Sequence, residues 1–252
     1  MFQSKTASFT DGVTLAYTDT GPVPGSDNYT TLVVLHGSAF NGYGCEKLHE
    51  HCHQLNLRTI IFMRREFPGS TKYSDSEIDD LHNGRKVFID RLCVQMAEFM
   101  KQLVDSGIPK ISSDGKNGGI AIMGWSMGSA TAMSLFSDVS LIPAPLYEEL
   151  QLYVKDLVLD DPPYVSFGFL LPEDEKTYNP WTDPKCTTPE DSNQNLMRWA
   201  SSYYDEHDMS TGHVNQLDMR SATSHNTFTN WSQADLNKYY DEAAVVRCEL
   251  RM

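Results

Sequence analysis

Three shortages in the sequence limit what kind of protein it encodes. Its five cysteines are odd in number and scattered, which is typical of free thiols in a reducing compartment and not of a disulfide framework. No apolar run approaches the roughly 20 residues needed to span a bilayer, and no secretion signal is expected at the start. The 20 lysines and arginines are outnumbered by 34 aspartates and glutamates, and the net charge of −14 argues against nucleic acid or an anionic membrane as a partner. We therefore expect a cytoplasmic protein without a membrane span.

Aliphatic residues are also scarce between residues 172 and 242. The only valines, isoleucines and leucines there are Leu196, Val214, Leu217 and Leu236. A buried strand needs a run of such residues, so no buried strand is expected in this stretch. Helix N-cap patterns begin instead at Thr188 and at Ser232. The second of these predicted helices has one face made of Leu236, Tyr240, Ala243, Arg247 and Leu250. These features predict two regions, which are a core over residues 1–163 and a helical lid over residues 164–252.

Before residue 163 the sequence alternates between strand-like and helix-like segments. Residues 5–10 and 13–19 alternate polar and apolar side chains about Asp11-Gly12, which predicts a β-hairpin. Continuous apolar runs predict buried strands, and they lie at 31–35, 58–63, 120–123 and 153–159. Helices are predicted at 45–55 and over much of 75–105. The second helix is expected to end at Gly107 and to bury a stripe of Phe88, Leu92, Met96, Phe99 and Leu103. Strands that alternate with helices predict an α/β fold with a mostly parallel sheet that binds ligands at its carboxyl edge.

The most informative stretch is residues 118–136, in which an apolar run leads into Gly124-Trp125-Ser126-Met127-Gly128 and then into small residues that open a helix. Gly-x-Ser-x-Gly between a strand and a helix is the pattern of a nucleophile elbow. The two glycines allow the backbone to pack closely, and Ser126 lies at the apex of the turn. The following helix directs N–H groups and the positive end of its dipole at an oxyanion. The alternative is an exposed serine in an ordinary glycine-rich turn.

These motifs resemble the α/β-hydrolase fold family over about residues 5–165. The resemblance rests on the hairpin, on His36-Gly37 at a strand end, on the loop at 64–70 and on the elbow. The segment Asp160-Asp161-Pro162-Pro163 looks like the end of the family's sixth strand, with a lid inserted after it. The scaffold itself hosts many reactions, so the resemblance identifies the fold more closely than the chemistry.

The resemblance also implies roles for individual residues. Ser126 is then the nucleophile, and the backbone N–H groups of Met127 and Ser38 hold the oxyanion, with Ala39 as an alternative to Ser38. The implied activity is that of a serine hydrolase acting on esters or related carbonyl substrates through an acyl-enzyme at Ser126. A small-molecule substrate is implied, neither cofactor nor metal is expected, and the oligomeric state stays open. Lyase or peroxidase-like chemistry on the same scaffold is a further alternative.

The sequence departs from the family where the acid and the base are expected. Both usually follow two further strands, and no β-run occurs after residue 159. The candidate bases downstream of the elbow are His207, His213 and His225, whereas His36 is expected to order its turn. Asp161 is the tentative acid and Asp160 its alternative, unless both cap the turn before Pro162. Two hypotheses follow: an incomplete core that lacks two strands and the remaining triad members, or a non-catalytic relative that binds a ligand or partner.

Three other groups of residues have two interpretations each. Cys45, His49 and His53 have a helical spacing that can hold a metal, but a solvated polar face is the preferred interpretation. Arg64 and Arg65 either bind an anionic substrate or hold their loop through salt bridges. Aromatic residues after residue 163 either line an apolar pocket or pack the lid on the core, and they are Tyr164, Phe167, Phe169, Trp181, Trp199, Tyr203, Tyr204, Phe228 and Trp231.

Overall fold

A computed structural model of the chain describes residues 4–168, 180, 183–202 and 224–249. The strands are β1 (Ser4–Ser8), β2 (Thr14–Asp19), β3 (Thr30–Leu35), β4 (Leu57–Phe62), β5 (Ile120–Trp125) and β6 (Val154–Asp160). They form one sheet in the order β1-β2-β4-β3-β5-β6. Strands β1 and β2 pair as an antiparallel hairpin, and β3 to β6 run parallel to one another. The predicted α/β fold with an N-terminal antiparallel hairpin is confirmed.

The described α-helices are α1 (Leu48–His51), α2 (Asp75–His82), α3 (Lys86–Asp105), α4 (Gly128–Ser134), α5 (Ala144–Leu150), α6 (Pro189–Ala200), α7 (Gln233–Tyr239) and α8 (Glu242–Ala244). Helix α3 carries the predicted apolar stripe, and all of its members are buried, namely Phe88, Leu92, Met96, Phe99 and Leu103. The ring of Phe99 lies 4.5 Å from that of Phe62 in β4 and 5.5 Å from that of Tyr17 in β2. This helix therefore covers one face of the sheet and forms its main core.

The sequence placed one helix over much of 75–105, and the structure divides it into two. The capping box at Ser74 and Glu77 is present and begins α2. Gly84 then adopts a left-handed conformation with φ 59°, which a helix cannot continue through. Helix α3 ends as predicted at Gly107, where φ is 83°.

The segment at 45–55 is not the single helix that was predicted. It consists of short turns: a 3₁₀ turn at Gly42–Cys45, the one-turn helix α1 and a second 3₁₀ turn at His53–Leu55. The reason lies in His49, which is buried rather than solvated. Its Nε2 is hydrogen-bonded to Thr18 Oγ1 at 2.8 Å and its Nδ1 to Thr59 Oγ1 at 2.5 Å. These two bonds tie the segment to the face of the sheet.

Strand β6 was predicted to be a core strand, and the structure corrects that prediction. Within the described residues it pairs only with β5 and lies at the edge of the sheet. Leu157 and Val158 are 37% and 42% exposed in this edge strand. An apolar run alone does not distinguish a covered strand from an uncovered edge strand.

The described C-terminal elements pack on the turn that follows β3. Phe40 forms an isolated bridge with Tyr240, and the N–H of Asn41 donates to the Tyr239 carbonyl at 2.9 Å. The N–H of Asp241 donates to the Ala39 carbonyl at 3.0 Å. These bonds end α7 at Tyr239, so the continuous helix face expected through residue 250 is wrong.

The N-cap predictions at Thr188 and Ser232 are confirmed, since each residue forms a capping box at the start of its helix. The division between a core ending at residue 163 and a lid starting at 164 stays a prediction, and residues 169–179, 181–182, 203–223 and 250–252 lie outside the described part of the chain. Among the helices that are described, none combines the length and the apolar character that crossing a membrane requires.

Candidate active site

The turn between β5 and α4 has the geometry of a nucleophile elbow. Ser126 has a φ of 50°, a left-handed conformation that costs a non-glycine residue about 1 kcal/mol. The N–H of Ser126 donates to the Asp160 carbonyl at 2.8 Å, and its own carbonyl accepts from the Ser129 N–H at 2.9 Å. The side chain of Ser126 is half-buried, so its hydroxyl lies at the surface of the carboxyl edge.

Both glycines of the motif are required by close approaches of the backbone. A Cβ on Gly124 would lie 2.4 Å from the Cα of Ser129, so the strand and the helix could not cross at this distance. A Cβ on Gly128 would lie 2.2 Å from the Leu35 carbonyl oxygen at the end of β3. The alternative of an ordinary glycine-rich turn does not explain either contact.

The turn after β3 lies directly beside the elbow. Leu35 pairs with Gly124 across the sheet, and a Cβ on Gly37 would lie 3.0 Å from the Ser126 Cβ. Ser38 and Met127, the two predicted oxyanion donors, are both half-buried. In the part of the chain that the structure describes, neither backbone N–H has an acceptor. Two unpaired amides therefore flank the serine from two different turns.

Ala39, the alternative donor, has its N–H already occupied. It donates to Glu249 Oε2 at 2.9 Å, and Ala39 itself is fully buried with a φ of 65°. An amide that is hydrogen-bonded to a buried carboxylate is not free to receive a developing oxyanion. The geometry thus favours Ser38 over Ala39.

His36 holds the turn together, as the sequence indicated. The Arg64 N–H donates to His36 Nε2 at 3.0 Å, so the other ring nitrogen carries the proton, and Nδ1 donates to the Gly37 carbonyl at 2.9 Å. Burial and the nearby Arg64 guanidinium hold the pKa of His36 well below its ordinary value of 6.5. A neutral imidazole with both nitrogens engaged has no site left for the serine proton.

The general base does not appear among the described histidines. Over residues 4–168, 183–202 and 224–249 no imidazole nitrogen lies within hydrogen-bond distance of the Ser126 hydroxyl. His225 is exposed, and His207 and His213 lie outside the described residues. The identity of the base therefore stays open.

The two candidate acids are exposed at the end of β6. Asp161 has a φ of 47° and begins the turn before Pro162, and the carbonyl of Asp160 holds the Ser126 N–H. Burial raises the pKa of the Cys45 thiol to about 11, and the nearby Asp160 carboxylate contributes to that rise. Neither carboxyl is hydrogen-bonded to a described histidine, and Asp161 as the acid stays a prediction.

Arg64 and Arg65 form salt bridges within the protein. Of the two interpretations of these arginines, the structure therefore favours salt bridges that hold the loop over binding of an anionic substrate. Arg65 pairs with Glu77 at 2.5 Å, and its Nη2 also donates to the Lys72 carbonyl at 2.7 Å. Arg64 pairs with Glu249, whose side chain is fully buried. The role of Glu249 was not evident in the sequence, because nothing near residue 249 indicates a partner at residues 39 and 64.

The metal alternative does not fit the structure. Both ring nitrogens of His49 are hydrogen-bonded to threonines, which leaves no nitrogen for a metal ion. Across the residues that the structure describes, no group of three or more His, Cys, Asp or Glu side chains could bind one.

Several aromatic side chains of the described residues contact one another beside the site. The Phe40 ring lies 6.2 Å from Trp125 and 5.7 Å from Trp231, and Phe228 lies 5.8 Å from Tyr240. For Phe228 and Trp231 these contacts favour packing over pocket lining. Of the other aromatics proposed to line a pocket, Phe169, Trp181, Tyr203 and Tyr204 lie outside the described residues.

Comparison with known proteins gives matches at the level of structure. No protein-family model matches the sequence, and no curated protein sequence matches it. A protein assigned as an aryl esterase from Burkholderia cenocepacia is 14% identical, with a TM-score of 0.50 over 87% of this chain and 68% of that one. An esterase from Exiguobacterium antarcticum is 15% identical, with a TM-score of 0.45 over 75% of this chain and 58% of that one.

A third similar structure is an epoxide hydrolase of the α/β-hydrolase superfamily, found in metagenomes from hot environments. It is 16% identical, with a TM-score of 0.49 over 100% of this chain and 69% of that one. The chain spans 58% of the length of the Exiguobacterium esterase and about two thirds of the lengths of the other two. At these identities the likeness concerns the fold, and together with the sheet order it shows an α/β-hydrolase fold.

Proposed function

With the α/β-hydrolase fold as the premise, we propose that this chain carries the nucleophile and the oxyanion hole of a serine hydrolase acting on esters or related carbonyl substrates. A single observation carries the proposal. Ser126 has a left-handed backbone at the carboxyl end of β5, and the unpaired N–H groups of Met127 and Ser38 flank it. The substrate is a small molecule, and five free thiols are consistent with a cytoplasmic location.

The proposed chemistry follows from these groups. Ser126 Oγ attacks the carbonyl carbon, a C–O bond forms, and the carbonyl π electrons move to the oxygen. The Met127 and Ser38 N–H groups stabilise that negative charge, and one such donor is worth roughly 10²–10³ in rate. The intermediate then collapses, the alcohol leaves with a proton, and water hydrolyses the acyl-enzyme.

The hydroxyl proton of Ser126 needs an acceptor, since an unperturbed serine is a weak nucleophile at neutral pH. We propose His207 or His213 as this base, or a histidine of a longer protein that contains this sequence, because the described His225 makes no hydrogen bond to Ser126. Asp161 is the proposed acid. Without a base, only about 10³–10⁴-fold acceleration over water is expected to remain.

A second candidate function is supported by the absence of a described imidazole at Ser126. In that case the chain is a non-catalytic α/β-hydrolase-like protein, and its C-terminal elements bind a ligand or a partner. The elbow would then be retained only for its role in packing β3, β5 and α4 together.

A fluorophosphonate probe distinguishes the two functions, because it forms a covalent bond only with an activated serine. We expect labelling of the wild type and no labelling of Ser126→Ala, with both proteins shown to be folded by circular dichroism. Separate His207→Ala and His213→Ala variants identify the base by the one that labels slowly, with His225→Ala as the control. Absence of labelling in folded wild type would support the binding function.

A further inference from the structure

We infer that Arg64 and Glu249 are positioning residues that direct the Ser38 N–H at the oxygen of the reacting carbonyl. The inference rests on the proposed function and deepens it, because it names the residues that set the oxyanion hole. Both side chains are buried. They act through the peptide groups at residues 37–39, which form the turn beside Ser126.

The first step concerns the peptide between Gly37 and Ser38. Its carbonyl accepts two hydrogen bonds of 2.9 Å each, from His36 Nδ1 and from Arg64 Nη2. In a trans peptide the C=O and the following N–H point in opposite directions. Holding the Gly37 carbonyl on the Arg64 side therefore holds the Ser38 N–H on the other side, where it is unpaired.

The second step concerns the next residue, Ala39. The Glu249 carboxylate binds both the Ala39 backbone and the Arg64 side chain. Its Oε2 accepts from the Ala39 N–H at 2.9 Å, and its Oε1 accepts from Arg64 Nη2. The Ala39 carbonyl in turn accepts from the Asp241 N–H at 3.0 Å. These bonds hold Ala39 at its φ of 65°, a conformation that a non-glycine residue keeps only when its surroundings impose it.

The third step is a comparison with the neighbouring arginine. Arg65 carries the same kind of ion pair, with Glu77, but its other hydrogen bonds go to the carbonyls of Thr71 and Lys72 in its own loop. Arg64 instead reaches the turn beside Ser126. A buried ion pair is often no more stabilising than apolar residues of the same size. The Arg64–Glu249 pair is thus better explained by what it orients than by stability.

The experiment compares two double variants that each remove one ion pair. Arg64→Met with Glu249→Met removes both charges at the oxyanion turn, and Arg65→Met with Glu77→Gln removes the neighbouring pair while keeping a capping side chain on α2. The readout is the second-order rate constant for fluorophosphonate labelling of Ser126. In that reaction the serine oxygen bonds to phosphorus, fluoride leaves, and the hydroxyl proton passes to solvent.

We expect the Arg64/Glu249 variant to label about 10–100-fold more slowly than the wild type, since a shift of about 1 Å in a positioned group costs about that much. The Arg65/Glu77 variant should stay within about threefold of the wild type. Glu249→Gln keeps an oxygen that can accept from the Ala39 N–H, so its rate should lie between these two values. If the double variant fails to fold, the labelling rate of Glu249→Gln tests the inference in its place.

A spectroscopic readout separates positioning from general loosening. The ¹⁵N–¹H signal of Ser38 should move downfield when wild type forms the phosphonyl adduct, and the shift should be smaller in Glu249→Gln. If wild type does not label at all, the proposed function is wrong and this inference falls with it. If wild type labels and the folded Arg64/Glu249 variant labels equally fast, or the Arg65/Glu77 variant slows as much, only the inference is wrong.

Discussion

The Cα of Gly128 packs against the Leu35 carbonyl oxygen so closely that a Cβ there would lie 2.2 Å from it. Through this contact the start of α4 is fixed to the end of β3. Ser126 lies two residues before Gly128, and the turn at 36–39 follows Leu35 directly. Ser126 and the turn at residues 36–39 are therefore both fixed to the same part of the sheet.

Gly128→Ala should be strongly destabilising, because a methyl group would overlap a backbone oxygen that cannot rotate away. We expect a loss of about 3 kcal/mol in the free energy of unfolding, measured by urea denaturation. Gly44→Ala is the matched control, since Gly44 has nothing within 4 Å of its added Cβ and should change by less than about 0.5 kcal/mol. Equal effects of the two substitutions would contradict the packing described for the elbow.

Ser126→Gly should be at least as stable as Ser126→Ala. At an ordinary helix position such as Ser192, glycine is about 1 kcal/mol less stable than alanine. At Ser126 the φ of 50° favours glycine and offsets that cost. Urea denaturation of the four variants, with Gly and Ala at each site, measures the difference. A glycine penalty at Ser126 as large as that at Ser192 would mean that the left-handed turn is absent.

The free energy of unfolding should decrease in acid, because the Asp19 carboxylate becomes protonated. Burial raises the pKa of this carboxyl, but hydrogen bonds from Arg58 and Lys5 outweigh burial and lower it from 3.8 to about 2. Because the folded pKa lies below the unfolded value, the carboxylate stabilises the fold above about pH 4, and this stabilisation is lost as the pH falls towards 2. The contribution is about 2 kcal/mol.

The predicted role of Asp19 is tested by measuring the free energy of unfolding of wild type and Asp19→Asn between pH 2 and pH 5. The stability difference between the two proteins should shrink by about 2 kcal/mol on going from pH 5 to pH 2. A difference that does not depend on pH would show that Asp19 keeps an ordinary pKa in the folded protein.

The features that could be predicted from the sequence are those built from neighbouring residues. At the hairpin, Asp11 Oδ1 accepts from the Val13 N–H at 2.9 Å and Gly12 has a φ of 83°, so the turn is encoded within three residues. The elbow is encoded in the same way, because Gly124 and Gly128 stand where the backbone has no room. The steric requirements of such turns are met by residues within the turn itself, so they can be recognised as a short sequence pattern.

The features that could not be predicted depend on distant partners. Glu249 and Ala39 are 210 positions apart, and nothing around either residue indicates the other. The end of α7 is another case, since the Tyr239 carbonyl and the Asp241 N–H bond to residues 39 and 41 rather than continuing a helix. Spacing suggested one helix face, but tertiary hydrogen bonds decided where the helix ends.

We propose above that Ser126 Oγ forms the covalent bond to the substrate. Incubation with a p-nitrophenyl ester, rapid acid quenching and peptide mass spectrometry test it most directly, with Ser126→Ala as the control. We expect an acyl group on the peptide that contains Ser126 in the wild type and on no peptide of the variant. Folded wild type that carries no acyl group at Ser126, or an adduct that persists in Ser126→Ala, would contradict it.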